Sequence, residues 1–567
     1  MISMVPRYTA WLQRWKFAVL AAGLIVLVLG AIGMQRVVFD PDVLVYFDRN
    51  MPERQALETI ENRFGRTNEI VFVLRAKGGG SMIEGKRLEA VVWLSDRAKA
   101  LDGAIAARSP LDLLGDNAPR RAIHDGKALR EAAAKAGYSA RAVLSADETV
   151  TSVAAIYPRS SHADIDIRSV ASSARALQKE FRQRFPDIEN LMTGRLMMDQ
   201  AFLYEGQQDT YDYAALQTVI LSLILLITFR SVYASAILIV IVLTSSVATL
   251  GIAGWSGFPL NGISSAAPTV LMGLAVATGI HIVLAWQRAR AKGMGRAAAV
   301  SASLRFNAAP VLLSVVTTIA SFLCLNLAAS PPFGQLGNVV SIGLVIVLVL
   351  SFTLLPALLL IAPKGVSHHS LALAPAMRRL GWFVITKRRA LLLVFAAIAA
   401  LSVEGVSKIS FDDTFSHYFD QRFEVRRATD LFEDKLSGTI FIDLSVPVSD
   451  KGGPFSRAHL ERLKTFSDWL KKRHEFAEAV SLETVTAALA RQSPALFDAE
   501  GLPVRPEAAN ALRHIYDRMR LEGLIGLIDN GGQHARISVV LRGVSSSETL
   551  ASRATRRRKR SAFSARP

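Results

Sequence analysis

The sequence predicts an α-helical polytopic membrane protein of about seven transmembrane helices that carries two extracytoplasmic α+β domains. Three observations predict it. Apolar runs of bilayer length lack any charge, several connections between them are rich in Arg and Lys and free of acids, and two long polar stretches open on related residues.

A helix needs ~20 mostly apolar residues to cross the ~30 Å hydrocarbon layer. The first such block, about Phe17–Met34, follows Arg14 and Lys16 and exceeds the ~7–15 apolar residues of a secretory signal, so residues 1–37 read as a cytoplasmic start and an uncleaved anchor. Residues 38–212 are polar. Strand-like runs at Glu69–Leu74 and Thr149–Tyr157 alternate there with amphipathic helices at Glu84–Ala98 and Ile167–Phe185, which suggests split βαβ units. Five spans then follow within 213–362, at about Tyr213–Phe229, Val232–Trp255, Ser264–Trp286, Phe306–Ala329 and Gly337–Ala362. A basic link over 363–389, with His368 and His369, leads to a weaker seventh span within 390–406 and a second polar α+β region over 407–550. The tail, 551–567, is a block of like charges that reads as disordered or frameshifted.

The net charge of +18 invites a nucleic-acid partner, but the positions of the charges argue against one. Arg7, Arg14 and Lys16 precede the first span, Arg288, Arg290, Lys292, Arg296 and Arg305 share one loop, and Lys364, Arg378, Arg379, Lys387, Arg388 and Arg389 fill another. Cationic loops resist translocation, so the amino terminus, the Gln287–Arg305 loop and the Pro363–Arg389 link belong in the cytoplasm. Counting spans places both large polar regions on the opposite side. The one cysteine, Cys324, lies in an apolar block; it excludes an intramolecular disulfide and reads as a buried structural thiol.

The chain also repeats itself. Phe39-Asp40 and Tyr46-Phe47-Asp48 recur as Phe411-Asp412 and Tyr418-Phe419-Asp420 at an offset of 372, which also pairs Arg54 with Arg426, Glu61 with Glu433, Thr67 with Thr439 and Ile70 with Ile442. Such a repeat implies two equivalent halves related by an axis along the membrane normal. The second half is expected to be incomplete, stopping within its outer domain. Asp40 and Asp412 fit turns at the exit of each span better than a metal site, which needs several converging oxygen ligands. No Walker-type phosphate loop, ligand-spaced His or Cys cluster, or ordered nucleophile and base is visible, so no metal, no cofactor and no enzymatic activity are expected.

Short motifs fall in order along this plan. They are Thr193-Gly194 before the second span, Gly273-Leu274-Ala275-Val276-Ala277-Thr278-Gly279-Ile280-His281 in the fourth, Thr317-Thr318-Ile319-Ala320-Ser321-Phe322 in the fifth and Leu354-Leu355-Pro356-Ala357-Leu358-Leu359 in the sixth. With the repeat, they resemble the RND transporter superfamily, in its MMPL-type, hydrophobe/amphiphile exporter branch. The resemblance implies an RND fold with an incomplete second repeat, ferredoxin-like porter subdomains outside, and a sterol-sensing-like five-span block. It also implies export of hydrophobic, amphiphilic or lipid-like molecules on the proton gradient, across a bacterial inner (plasma) membrane with the large domains periplasmic.

The sequence departs from the family at the proton relay. Ala277 and Thr278 stand where the fourth-span acid is expected, and 231–362 holds no Asp or Glu. His281, Asp209 and Asp212 remain as relay candidates. His281 has an unperturbed pKa near ~6.5 suited to proton exchange, but equally fits an amphipathic contact with headgroups or a neighbouring helix. Asp209 and Asp212 fit interfacial acids at a helix N-terminus. Membrane lipids or a hydrophobic substrate are the expected partners, with a second copy or another chain supplying the missing spans. The alternatives to a transporter are a non-transporting lipid-sensing or accessory membrane protein, and an inactive remnant.

Overall fold

The computed structural model describes residues 5–40, 42–65, 68–114, 126–157, 166–363, 374–409, 418–437, 441–449, 452–472, 476–484, 486, 497–498, 501–521 and 526–541. In chain order the helices and strands are α1 (Val5–Met34), α2 (Pro52–Phe64), β1 (Asn68–Ala76), α3 (Gly85–Lys99), β2 (Ala106–Arg108), α4 (Gly126–Ala136), β3 (Val150–Tyr157), α5 (Ile167–Arg184), β4 (Ile188–Thr193) and α6 (Arg195–Phe229). There follow α7 (Val232–Trp255), α8 (Ala267–Ala291), α9 (Arg296–Leu323), α10 (Pro331–Phe352), α11 (Leu354–Leu360), α12 (Ala374–Thr386) and α13 (Arg388–Ser407). The remainder comprises α14 (Glu424–Lys435), β5 (Phe441–Pro447), α15 (Arg457–Lys471), β6 (Phe476–Val480), α16 (Pro506–Leu521) and β7 (His534–Leu541). Among the described residues seven helices are long and apolar enough to cross a membrane.

The chain divides into two compact units. One comprises Met1–Met51 with Phe202–Ile409, and the other Pro52–Ala201 with Ser410–Pro567. The contact boundaries therefore fall at Pro52 and Ala201 rather than at the expected 38 and 212, and residues 38–51 belong with the helical bundle. Helices also outrun their apolar runs. α1 begins at Val5, α6 at Arg195 and α9 at Arg296, so the loop expected over Gln287–Arg305 shrinks to Lys292–Gly295. Apolarity marks what lipid can cover; backbone hydrogen bonding continues past it wherever polar residues tolerate a helix. The link over 363–389 holds α12.

In the bundle, tight connections keep successive helices adjacent. Arg230 takes the left-handed conformation at φ 48°, and Ser231 Oγ accepts the Ala234 N–H, so α6 turns into α7 within two residues. Asn261 Oδ1 accepts the N–H groups of Ile263 and Ser264 ahead of α8. Glycines then bring α1 and α7 together. A Cβ at Gly251 would stand 2.5 Å from Gly30 Cα, and one at Gly30 2.9 Å from Ala248 Cα; one at Gly254 would strike Gly33 O. Between lipid-exposed helices, where water drives nothing together, such close backbone approach is the main source of attraction. Cys324, at the end of α9, is exposed rather than buried, so its apolar surroundings in sequence are those of a bundle surface.

The tenth helix breaks at Thr353 because Pro356 has no N–H to give the Phe352 carbonyl four residues earlier. Tyr8 of α1 supplies the missing donor, its hydroxyl lying 2.7 Å from Phe352 O. Tyr233 donates similarly to Leu358 O at 2.7 Å. Tyr8→Phe should therefore lower the melting temperature of the chain in detergent, with a loss of about 1 kcal/mol for an abandoned, partly buried carbonyl. An unchanged transition would show that the carbonyl finds another donor.

Among the described residues the second unit contains two antiparallel sheets. The first has strand order β2-β3-β1-β4, with β1 pairing β3 from Asn68↔Tyr157 to Arg75↔Val150 and β4 from Val71↔Thr193 to Ala76↔Ile188. With α3 between β1 and β2 and α5 between β3 and β4, this is a pair of interleaved split βαβ units. The second sheet has order β5-β7-β6, with α15 between β5 and β6. Its helices recur at the spacing of the sequence repeat: α2 and α14 start 372 residues apart, as do α3 and α15.

The two segments of this unit are joined by α14. Leu431, Phe432 and Leu436 pack on Val71, Val73, Val150 and Ala154 of the first sheet. Glu424 accepts from the Met192 N–H at 3.2 Å, from Arg182 at 3.1 Å and from the Gln178 amide. Thr193 and Thr429 share a hydroxyl hydrogen bond of 2.6 Å, and Lys435 meets Asp147 at 2.9 Å. Hydrogen bonds from Ser145, Lys435 and Thr149 hold the Asp147 carboxyl well below the usual carboxylate range. In return Arg63 of α2 donates to Ser445 of β5 at 3.2 Å. Each post-span helix thus bonds to the other segment's sheet.

Candidate functional site

The residues singled out in the fourth span lie on α8, which packs beside α7, α9 and α10. Gly273, Ala277 and His281, four residues apart in succession, form the exposed stripe of the helix, and Thr278 is half-buried beside it. Thr278 gives its hydroxyl to Leu274 O four residues back at 2.8 Å, a bond within its own helix. The His281 ring is exposed on the bundle surface, whereas its carbonyl is held from α9 by the Asn307 amide at 3.3 Å. Asn307 also reaches Ser303 O at 3.0 Å, and Ser303 Oγ donates to Ile282 O at 2.6 Å. Two buried polar side chains of α9 therefore fasten the backbone of α8 beside His281. Their signal in the sequence is the i, i+4 spacing of Ser303 and Asn307, which puts both on one helix face.

Asp209 and Asp212 are not at a helix N-terminus as expected, because α6 begins at Arg195 and carries both in its interior. The dipole argument for them lapses. The Asp209 side chain lies outside the described residues, and Asp212 is exposed. Of the relay candidates with described side chains, Asp212 on α6 and His281 on α8 are both exposed. No Asp or Glu occurs in the sequence between Asp212 and Glu404. Among the described residues the buried polar side chains of the bundle include the hydroxyls and amides of Thr244, Ser245, Ser246 and Thr249 on α7, Ser303 and Asn307 on α9, and Ser341 and Ser351 on α10. Ser246, Ser341 and Ser351 have buried hydroxyls with no hydrogen-bond partner. Such groups can bond water or a polar ligand group, but hold no fixed charge.

The element after the first span is a pinned turn. The Asp40 N–H donates to Leu260 O at 2.7 Å and the Leu260 N–H to Val38 O at 2.8 Å, which ties Phe39 to the α7–α8 connection. Asp40 Oδ1 accepts the Asp42 N–H and Asp42 Oδ1 the Leu44 N–H, both at 3.0 Å, so each carboxylate closes a turn. Tyr46 is half-buried, with its hydroxyl 2.8 Å from where a Cβ on Gly262 would sit, and burial pushes its phenol up; Phe47 is exposed. The later copy differs. Phe411 and Asp412 lie outside the described residues, Tyr418 is exposed, and Phe419 is buried edge-on against Phe423 at 5.8 Å. Among the described residues no group of His, Cys, Asp and Glu is arranged to hold a metal ion.

The Thr193-Gly194 pair acquires a geometric role. Gly194 adopts φ 97° where β4 turns into α6, and a Cβ there would stand 2.7 Å from Glu69 O.

Comparison with known proteins completes the description. The sequence model of the MMPL family matches residues 48–389. A membrane protein of Methanocaldococcus jannaschii is 25% identical over 341 residues, 56% of this chain and 85% of its own. The probable transport protein MmpL1 of Mycobacterium tuberculosis is 30% identical over 186 residues, and the siderophore exporter MmpL5 of the same organism 28% identical over 184. Each of these matches covers 32% of this chain and 19% of the mycobacterial protein, so the similarity spans about a fifth of those relatives' length.

Proposed function

The chain belongs to the MMPL family of the RND superfamily, and on that premise we propose that it is a membrane transporter that exports hydrophobic, amphiphilic or lipid-like molecules. The observation that carries the proposal is the family match across nearly all of the first polar segment, the five clustered spans and the basic link, beside relatives named as a transport protein and an exporter. In this reading the polar segments are porter domains on the extracytoplasmic side of an inner membrane. The cationic connections Lys292–Gly295 and 363–389 lie in the cytoplasm, where the positive-inside rule puts them. The halves are equivalent by design; the matched offset of α2 with α14 and α3 with α15 supports this. The proton gradient supplies the energy, and His281 is the ionisable group within the fourth span.

The test is efflux of a fluorescent acyl-chain lipid from membrane vesicles that contain the chain. Movement that stops when an uncoupler is added is the expected result. No movement above vesicles without the protein, or movement indifferent to the uncoupler, would refute gradient-driven export.

A second reading, a protein that binds lipid without pumping, is favoured by one observation, the absence of any carboxylate between Asp212 and Glu404. An ionisable group in the membrane ordinarily marks an ion path. Saturable lipid binding without gradient-dependent movement would select it.

A further inference from the structure

The helix α12 has no role in the transport reading, and its side chains are unusual for a link. All those from Pro375 to Thr386 are exposed, although Met377, Leu380, Trp382, Phe383, Val384 and Ile385 are among them. Met377, Leu380 and Val384 are spaced i, i+3, i+7 and form one apolar stripe, while Arg378, Arg379 and Thr386 fall on the opposite face with Trp382. Only Lys387 separates this helix from α13, and the Lys387 N–H still bonds Phe383 O at 2.8 Å.

Geometry then limits where α12 can be. α13 (Arg388–Ser407) is one of the candidate spans, and its uncharged run begins at Ala390, directly after Arg388 and Arg389. Its upstream neighbour must therefore start at headgroup level. Five cations, Arg378, Arg379, Lys387, Arg388 and Arg389, gather there, and no acid occurs between Asp212 and Glu404 to neutralise them.

We propose that α12 lies flat in the headgroup layer as an anionic-lipid binding element. The Met377–Leu380–Val384 stripe enters the acyl boundary, and the five cations engage the phosphates of acidic headgroups. An interfacial helix of this kind binds through buried apolar area together with attraction to anionic lipid. Long Arg and Lys stems let the charges reach the phosphates while their methylenes cover apolar surface, and Trp382 suits the same interfacial layer. A soluble acidic partner would satisfy the charges but leave the apolar stripe in water. The bilayer satisfies both.

The inference rests on α13 crossing the membrane, and the test separates the two. In a Cys324→Ser background, the full chain carries an environment-sensitive fluorophore at Leu380→Cys, Thr386→Cys or Phe395→Cys and is reconstituted into nanodiscs of phosphatidylcholine with or without phosphatidylglycerol. The expected result is a blue-shifted Leu380 label, quenched by acyl-chain spin-labelled lipid, in the anionic discs, beside a water-exposed Thr386 label. High salt or the pair R378Q/R379Q should abolish the difference between the two disc compositions. A Leu380 label that stays in water in anionic discs, or one that responds equally in both compositions and ignores R378Q/R379Q, overturns the proposal. A water-exposed Phe395 label would instead remove the span on which it stands.

Discussion

Gly254→Leu is expected to prevent the purified chain from holding its native bundle, with loss of the monodisperse detergent-solubilised peak and of a cooperative melting transition. The reason is backbone proximity. A Cβ at Gly254 already strikes Gly33 O, and Gly33 in turn lies against Gly251 O and the Trp255 ring. Trp255 is fixed by its Nε1–H to Leu29 O at 3.0 Å and by Arg36, whose guanidinium sits 4.1 Å from the ring centre, so it cannot swing away freely. A leucine there must push two helices apart along their whole contact. Overpacking in a filled core costs about 3 kcal/mol at the upper end of its ordinary range, and separating α1 from α7 adds the packing they lose. Gly273→Leu is the control, because a Cβ at Gly273 meets nothing within 4 Å. It should melt within about 0.5 kcal/mol of the parent. Equal melting of the two variants would show that the glycine contact does not hold α1.

Glu424→Ala is expected to loosen α14 from the first sheet, with a stability loss of about 2–3 kcal/mol for a carboxylate whose removal strands charged and buried donors. Arg182, Gln178 and the Met192 N–H all converge on Glu424, and Gln178 is buried. Its side chain is about a quarter exposed, which moderates the loss relative to a fully buried pair. Hydrogen exchange of the intact protein should show faster exchange across 424–436 and β4, with β5 and β7 unaffected. Glu424→Gln should recover part of the protection, because an amide oxygen still accepts. Protection unchanged in Glu424→Ala would mean that the apolar contacts of Leu431, Phe432 and Leu436 suffice.

The parts of this architecture that could be read from the sequence are those in which local pattern and final structure coincide. Arg54 and Arg426, paired by the offset of 372, make the same ion pair with the residue four positions on: Arg54 with Glu58 at 2.8 Å and Arg426 with Asp430 at 2.7 Å. The strand-like runs at 69–74 and 149–157 marked two strands that pair directly. The extents of α1, α6 and α9 were not legible from apolarity, since a helix that leaves the bilayer keeps its hydrogen bonds and loses only its lipid. That α14 docks on β1 and β4 depends on contacts more than 200 residues apart, for which a repeat gives no address. The Gly30–Gly33 and Gly251–Gly254 pairs were visible as small residues three apart, but which helices they join follows only from the packed structure. At the candidate site the missing acid was plain in the sequence. The bonds from Ser303 and Asn307 to the α8 backbone were not, because partnership between spans leaves no periodic trace.

The proposed topology puts both polar segments on a single face of the membrane, opposite the cationic connections. Impermeant thiol labelling of sealed right-side-out vesicles tests this most directly, with Lys179→Cys, Lys472→Cys and Lys292→Cys each placed in a Cys324→Ser chain. Labelling of the first two in intact vesicles, with the third reacting only after permeabilisation, is the predicted pattern. Lys179→Cys and Lys472→Cys reacting from opposite faces would contradict it.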